Sequence, residues 1–214
     1  MTPAVLLRKT RTVFTNPRGA LDVAVSAVAD EMGKRRLRAA GLNEAVAQIE
    51  RRHAEQPIKH QVWAELFRLY LDIRERRPQV VFEFGSGRST IVIGSALAQN
   101  GAGTLYSMEA DARWHQANAQ YLADNVTQVI HSPVSIEKRG GERVVLHSII
   151  PHTAPDYIYI DGPSFPPGIK VAADLIDMED RLQPGCLAVI DGRKPNADFL
   201  RQHLKRNWRY FERT

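Results

Sequence analysis

Three acidic residues in the second half of this chain each stand at the end of a short apolar run: Glu109 after Thr104–Met108, Asp161 after Tyr157–Ile160 and Asp191 after Leu187–Ile190. A fourth, Glu83, lies within the run Val80–Phe84, just ahead of the turn Gly85-Ser86-Gly87-Arg88-Ser89-Thr90. Carboxylates at buried strand ends are costly unless they hold something. Grouped, they suit cations, hydroxyl groups and proton transfer. Gly85 and Gly87 let the backbone turn tightly and approach a ligand, and a helix beginning near Ser89 would aim its unpaired amides into the same space. A GxG alone is a weak signal. Here it follows a strand and opens a helix, and Glu109 comes 22 positions beyond Gly87, where it can accept both hydroxyls of a ribose.

The adenosine ligand can be narrowed by charge. A dinucleotide site usually reads GxGxxG, its third glycine allowing close packing around a pyrophosphate. This chain has Thr90 at that position and Glu83 two residues before the first glycine. An anion beside the turn opposes phosphates and suits a cation. S-adenosylmethionine, with its ammonium and sulfonium, fits better than NAD, so an NAD-dependent oxidoreductase is the disfavoured enzyme alternative. The bland reading of Glu83 is local pairing or capping.

These residues need a sheet to bring them together. Apolar runs at Val80–Phe84, Thr104–Met108, Val126–His131, Tyr157–Ile160 and Leu187–Ile190 alternate with helical stretches at 89–99, 111–124 and 168–181. Strands apolar on both faces and separated by helices belong to a parallel sheet covered on both sides. The expectation is an α/β, Rossmann-like doubly wound, mostly parallel sheet, with ligands beyond the carboxyl ends of its strands. Arg143–Ile150 reads as either an extra strand or a helix, residues 196–206 as a helix, and Trp208–Glu212 as a last strand. Residues 18–55 read as one or two helices with a break at Gly41-Leu42-Asn43. A further helix with Val62, Leu66, Tyr70 and Ile73 on one face ends before Pro78. The domain expectation is a basic, helical N-terminal extension over 1–57 and the Rossmann-like domain over 58–214.

Composition narrows the class. Hydrophobic residues make up 43% and charged residues 25% of 214, ordinary for a globular protein. No apolar run is long enough to cross a bilayer, no secretory leader is recognisable, and Cys186 is the single cysteine. A cytoplasmic location is expected. Residues 1–78 carry 15 Lys/Arg against 9 Asp/Glu, residues 79–192 carry 7 against 13, and residues 193–214 carry 7 against 2. The basicity belongs to the flanks, which argues against a nucleic-acid enzyme. The run Lys34-Arg35-Arg36-Leu37-Arg38 reads as a solvated helix face, with peripheral contact to an anionic membrane as the functional alternative.

The strings FEFGSGRST (Phe82–Thr90), SMEADARW (Ser107–Trp114) and IDGP (Ile160–Pro163) resemble the class I S-adenosylmethionine-dependent methyltransferases, and within them a bacterial subgroup related to macrocin-type O-methyltransferases and, more loosely, to plant polysaccharide O-methyltransferases. The resemblance covers about residues 78–192. It implies that Gly85, Ser86, Gly87, Ser89 and Thr90 hold the amino-acid end of the cofactor, with Glu83 near its ammonium and Asp161 beside it. Glu109 would take the ribose, and the segment His131-Ser132 would lie near the adenine. Trp114 is either a pocket wall or core. Metal-dependent members carry carboxylates after the fourth and fifth strands, so Asp161 and Asp191 resemble two ligands of a Mg²⁺ site. The residues after Asp191, Gly192-Arg193, supply no partner ligand. Without metal, Asp161 is the general-base candidate. The expected activity is O-methylation of a hydroxyl on a small molecule or glycan. The family fold normally ends in an antiparallel hairpin, which raises the expectation of a homodimer completing the sheet. The reading from another class is a non-catalytic Rossmann-like module that binds an adenosine ligand or a partner chain.

Overall fold

The computed structural model describes residues 17–55, 63–119 and 125–211, which fall into two compact units, Met1–Asp72 and Ile73–Thr214. In the first, helix α1 (Pro17–Ala39) is separated from α2 (Asn43–Glu55) at Gly41, whose φ of 88° stops the helix. Leu37, Leu42, Val46 and Ile49 are buried. Asp30 Oδ1 accepts from the N–H groups of Trp63 (2.5 Å) and Ala64 (3.2 Å), capping α3 (Trp63–Arg76). The basic run is largely paired on its own helices: Lys34 and Arg38 with Glu50, Arg35 with Glu31, and the Arg36 guanidinium 5.6 Å from the Phe67 ring centre. Leu66, Tyr70 and Ile73 form the buried face expected of α3, while Val62 lies outside the described residues. Among the described residues no helix is long and apolar enough to cross a membrane.

The second unit holds β1 (Val80–Phe84), α4 (Arg88–Asn100), β2 (Thr104–Glu109), α5 (Ala112–Ala119), β3 (Thr127–His131), β4 (Val134–Arg139), β5 (Glu142–His147), β6 (Tyr157–Ile160), α6 (Asp174–Met178), β7 (Leu187–Ile190) and α7 (Lys194–His203). The main sheet runs β3-β2-β1-β6-β7 with every neighbouring pair parallel. This is the Rossmann-like, doubly wound α/β fold. Side chains alternate along β1: Phe82 and Phe84 pack with Leu175, Met178 and Leu200 from the α6–α7 side, whereas Glu83 turns to the α4 side, where Thr90 meets it. Both faces are covered, which is why the strands read as continuous apolar runs.

Three expected elements differ. Of Arg143–Ile150, the part up to His147 is strand β5, but outside the main sheet: it pairs antiparallel with β4 in a separate hairpin. The helix expected over 168–181 begins only at Asp174 and ends in a 3₁₀ turn, Glu179–Arg181. The reason is competition for the backbone. Val171 O accepts from Val145 N–H, and Ala173 N–H donates to Val145 O, so this stretch is spent on β5 before a helix can start. Trp208–Phe211 forms no strand. Glu179 instead gathers the segment, accepting from the N–H groups of Lys205 (2.8 Å) and Arg206 (2.9 Å) and from the Trp208 indole (2.8 Å).

The chain starts the sheet at its centre, builds outward through β2 and β3, and returns to the other side of β1 with β6. The switch in direction therefore lies between β1 and β6, where open sheets of this kind place their ligands. The two turns that leave these strands touch backbone to backbone. A Cβ on Gly162 would sit 2.4 Å from Gly85 Cα, and one on Gly85, whose φ is 99°, would sit 2.9 Å from Gly162 Cα. Gly162 N–H donates to Phe84 O at 2.5 Å, closing the contact.

Two stability predictions follow from these contacts. Gly162→Ala should lower unfolding free energy by about 1–3 kcal/mol, as overpacking against an immobile backbone does, measured by urea denaturation; an unchanged midpoint would show that the turns can separate. For Glu179, burial pushes the carboxyl up, but the donors from Lys205, Arg206 and Trp208 outweigh it and hold the group below its ordinary range. A depressed carboxyl stabilises above its unfolded-state range and loses that contribution as pH falls through its folded value. Glu179→Gln should therefore cost about 1–3 kcal/mol near neutrality, with the deficit shrinking below about pH 4. A deficit that grows on acidification would reverse the assignment.

Candidate active site

Glu83 is fully buried beneath the glycine turn. Its Oε2 accepts from the Thr90 and Ser107 hydroxyls, both at 2.6 Å, and Thr90 Oγ1 in turn accepts from Gly87 N–H at 2.8 Å. Oε1 has no hydrogen-bond partner. Burial raises the carboxyl from 4.5 to about 7, against the pull of the Ser107, Ser89 and Thr90 hydroxyls, and Asp161 adds to the rise. Ser107 was not a sequence candidate, yet its hydroxyl reaches both Glu83 and Gly85 O (2.9 Å). Its register opposite Glu83 on β2 was the available signal.

Ser86 ties the turn to Glu109. Its N–H (3.0 Å) and its hydroxyl (2.7 Å) both donate to Glu109 Oε2, while Glu109 Oε1 accepts from Asp111 N–H at 2.9 Å. The Trp114 indole donates to Ser86 O at 2.5 Å and the Asn118 amide donates to Ser86 Oγ. Asp111 makes this possible by capping α5, its Oδ1 accepting from Arg113 N–H (2.8 Å) and Trp114 N–H (2.9 Å). Trp114 therefore stands on the turn. Asn118, which the sequence reading passed over, is fully buried with its Oδ1 unpartnered.

All three amides of the glycine turn are consumed internally: Gly85 N–H by Met108 O (2.8 Å), Ser86 N–H by Glu109 and Gly87 N–H by Thr90. Among the described residues, the unpaired buried side-chain atoms around the turn are Glu83 Oε1 and Asn118 Oδ1, both acceptors. Above it there is room, since a Cβ on Gly87 would meet nothing within 4 Å.

At the β3 end the Ser132 hydroxyl bonds within the protein. Ser132 is fully buried, its N–H donating to Glu109 O (2.7 Å) and its hydroxyl exchanging bonds with the main chain of Ile149 (2.8 and 2.9 Å). It is a staple between β3 and the segment after β5, with its hydroxyl committed. The His131 ring lies 5.5 Å from that of His115. His147, which shows no ligand spacing in the sequence, is buried at the end of β5: its Nδ1 stands 3.1 Å from Asp174 Oδ2 and its Nε2 has no partner.

Asp161 and Asp191 do end neighbouring parallel strands, and they differ in exposure. The Asp161 side chain is 55% exposed. Asp191 Oδ2 accepts from the Tyr159 hydroxyl at 2.7 Å, and burial, then Asp191 and Asp161, hold that phenol well above its ordinary range, so it remains a donor. Between the strand ends lies a residue absent from the sequence candidates, Arg193. Its guanidinium donates to Pro163 O (2.9 Å) and Asp161 O, approaches Asp161 Oδ1 at 4.0 Å and stacks 4.7 Å from the Phe165 ring centre. The pair does not fit the Mg²⁺ site that the resemblance implies. Among the described residues no three His, Cys, Asp or Glu side chains converge, one Asp191 oxygen is already taken by Tyr159, and a fixed cation lies beside Asp161.

The family profile described as a methyltransferase domain matches residues 82–192. No curated protein matches the chain. Among solved structures it is similar to the SAH-bound methyltransferase PaMTH1 of Podospora anserina, with 14% identity and a TM-score of 0.47 over 70% of this chain and 62% of that one. It is also similar to the O-methyltransferase TomG of Streptomyces achromogenes, involved in tomaymycin synthesis and solved with SAM (18%, 0.46, 69% and 65%). A methyltransferase from Geobacter sulfurreducens compares at 16% and 0.46, over 70% and 71%. The chain spans less than two thirds of the length of PaMTH1 and TomG. The matched segment runs from β1 to just past β7, taking in the glycine turn, Glu109, Asp161 and Asp191, and by that match the chain belongs to the methyltransferase-domain family.

Proposed function

We propose that this chain is an S-adenosylmethionine-dependent methyltransferase whose acceptor is a hydroxyl group on a small molecule or glycan, in the manner of the macrocin-type O-methyltransferases. One observation carries the cofactor reading: the N–H groups of Gly85, Ser86 and Gly87 are spent within the protein, and the buried side-chain atoms left unsatisfied around them, Glu83 Oε1 and Asn118 Oδ1, are acceptors. A phosphate brings only acceptors and needs donors. A ligand with an ammonium and ribose hydroxyls brings donors. Glu83 Oε1 would take the ammonium, Glu109 the ribose hydroxyls, and Gly87 leaves the room for close approach.

When bound, S-adenosylmethionine supplies an electrophilic methyl group on a sulfonium. The chain's own residues then have modest work to do, because an aligned nucleophile needs mainly positioning. Asp161, exposed at the end of β6, would take the proton as the acceptor oxygen forms its bond to the methyl carbon. Asp191, held by Tyr159, would shape the neighbouring wall. Ser132 would act through position only, by fixing the main chain after Glu109.

Calorimetric titration with S-adenosylmethionine tests this, with NAD as the comparison. Glu109→Ala should weaken cofactor binding by at least about tenfold, the loss of hydrogen bonds to a charged acceptor. Gly87→Ala should melt at the parent temperature yet bind weakly. NAD binding without S-adenosylmethionine binding would overturn the reading. The pH dependence follows from Glu83. Its carboxyl ionises near 7 in the free protein, and a cation favours the ionised form. Affinity should therefore rise about tenfold per pH unit below 7 and flatten above it, with a proton released on binding in acid. Glu83→Gln should remove that slope. A parent affinity that is flat between pH 5.5 and pH 7 would show that Glu83 does not face the ligand.

A further inference from the structure

We infer that Arg193 fills, with a fixed guanidinium, the charge role that a divalent ion plays between the fourth- and fifth-strand carboxylates of metal-dependent enzymes, so that this site works without metal. The inference rests on the methyltransferase reading for the site's purpose, but not for its geometry.

Metal-dependent chemistry at this edge would need the Asp161 and Asp191 oxygens to converge on one ion at about 2.0–2.1 Å. Here Asp161 Oδ1 faces the Arg193 Nε at 4.0 Å, and Asp191 Oδ2 accepts the hydrogen bond of the Tyr159 hydroxyl. Arg193 is not a loose surface cation that an ion would displace. Its two terminal nitrogens each donate to a main-chain carbonyl, those of Asp161 and Pro163, and its plane rests on Phe165. Those contacts all belong to the segment leaving β6, whereas Arg193 follows β7. The side chain therefore clamps one strand's exit loop to the next. Burial pushes the guanidinium downward, and Asp161 and Asp191 offset it, so the cation and the two carboxylates compensate one another.

Two consequences follow for the reaction. A dication entering beside Asp161 meets like charge that cannot swing away, because a planar fork with two carbonyl partners has one orientation. Asp161 meanwhile keeps a cation at its flank without any metal. Arg193 is thus a positioning residue: it holds the Asp161 loop and places a cation beside the Asp161 carboxylate while leaving that carboxylate exposed.

The test is a Mn²⁺ titration of the full chain, followed by electron paramagnetic resonance. The parent should show no ion bound at Asp161 or Asp191, and any weak binding should survive in Asp161→Asn and Asp191→Asn. Arg193→Gln, which keeps length and loses charge, should raise Mn²⁺ affinity by about tenfold or more, and Asp161→Asn in that background should abolish the gain. Arg193→Lys, which keeps the charge, should stay close to the parent. Parent binding that Asp161→Asn or Asp191→Asn abolishes would overturn the inference, as would a folded Arg193→Gln with no gain. Should Arg193→Gln fail to fold, the parent titration decides. S-adenosylmethionine titrated into the same parent sample separates the questions: failure there sinks the methyltransferase reading and leaves the ion result standing.

Discussion

Everything at this site is arranged around a carboxyl group that water cannot reach. Glu83 lies under the first turn with hydroxyls from Thr90 and Ser107 on one oxygen and nothing on the other. Raising its ionisation from 4.5 to about 7 corresponds to roughly 3 kcal/mol. For an acid whose folded value is raised, that sum is lost from stability as pH climbs from about 4.5 to 7 and is not regained above. A fold tolerates such a cost where a ligand returns it. The same interactions that partly offset the burial also fix the turn, because Thr90 passes the bond on to Gly87 and Ser107 passes one to Gly85. The shape of the turn and the charge beneath it are one hydrogen-bonded unit.

That unit extends across the sheet. Ser86 joins it to Glu109, Trp114 and Asn118, and so to the start of α5. On the other side, Gly85 rests directly on Gly162, which sets the distance to Asp161 and, through the carbonyls of Asp161 and Pro163, to Arg193 and the end of β7. The chain leaves the sheet at β1, β2, β6 and β7 through turns that bond to one another, so no carboxylate at this edge is positioned by its own strand alone. The switch point between β1 and β6 is where a single missing Cβ on each turn lets two backbones close the gap.

The sequence showed the sheet clearly because its signal is local. Buried parallel strands such as Val80–Phe84 are apolar at every position but Glu83, and the exceptions mark the site. It missed what is set by long-range competition for backbone groups. Residues 168–173 have no feature that forbids a helix apart from Gly168, yet their main chain is claimed by Val145. Trp208–Phe211 has strand-like side chains, yet Glu179 draws its start away from the sheet. At the site, acids were legible because they stand out after apolar runs. Arg193, Asn118 and Gly162 were not, since an arginine in a basic tail, an asparagine in a helix and a glycine after an aspartate are each ordinary alone. Their roles arise only when two distant turns meet. Ser132 was found for its place at a strand end, and its bonds to the main chain of Ile149 were not, because sequence position says which edge a hydroxyl occupies but not what it bonds.

The glycine turn illustrates how one backbone device is given opposite chemistry by its neighbours. In phosphate-binding sites such turns leave amides free to meet anions. Here Met108 O, Glu109 and Thr90 have each taken one, so the amides of Gly85, Ser86 and Gly87 are not free to meet an anion. What surrounds it is negative: Glu109 along one flank, Asp161 along the other and Glu83 below. The segment from 79 to 192, which holds 13 acids against 7 bases, supplies that field, and Arg193 sets a cation beside Asp161 within it. Arg193 is bound to the loop it protects, its donors turned toward carbonyls rather than toward an incoming anion. A cationic nucleoside would lose its hydration against fixed acceptors, whereas a pyrophosphate would lose its own against carboxylates, and this difference in desolvation would separate the two adenosine ligands.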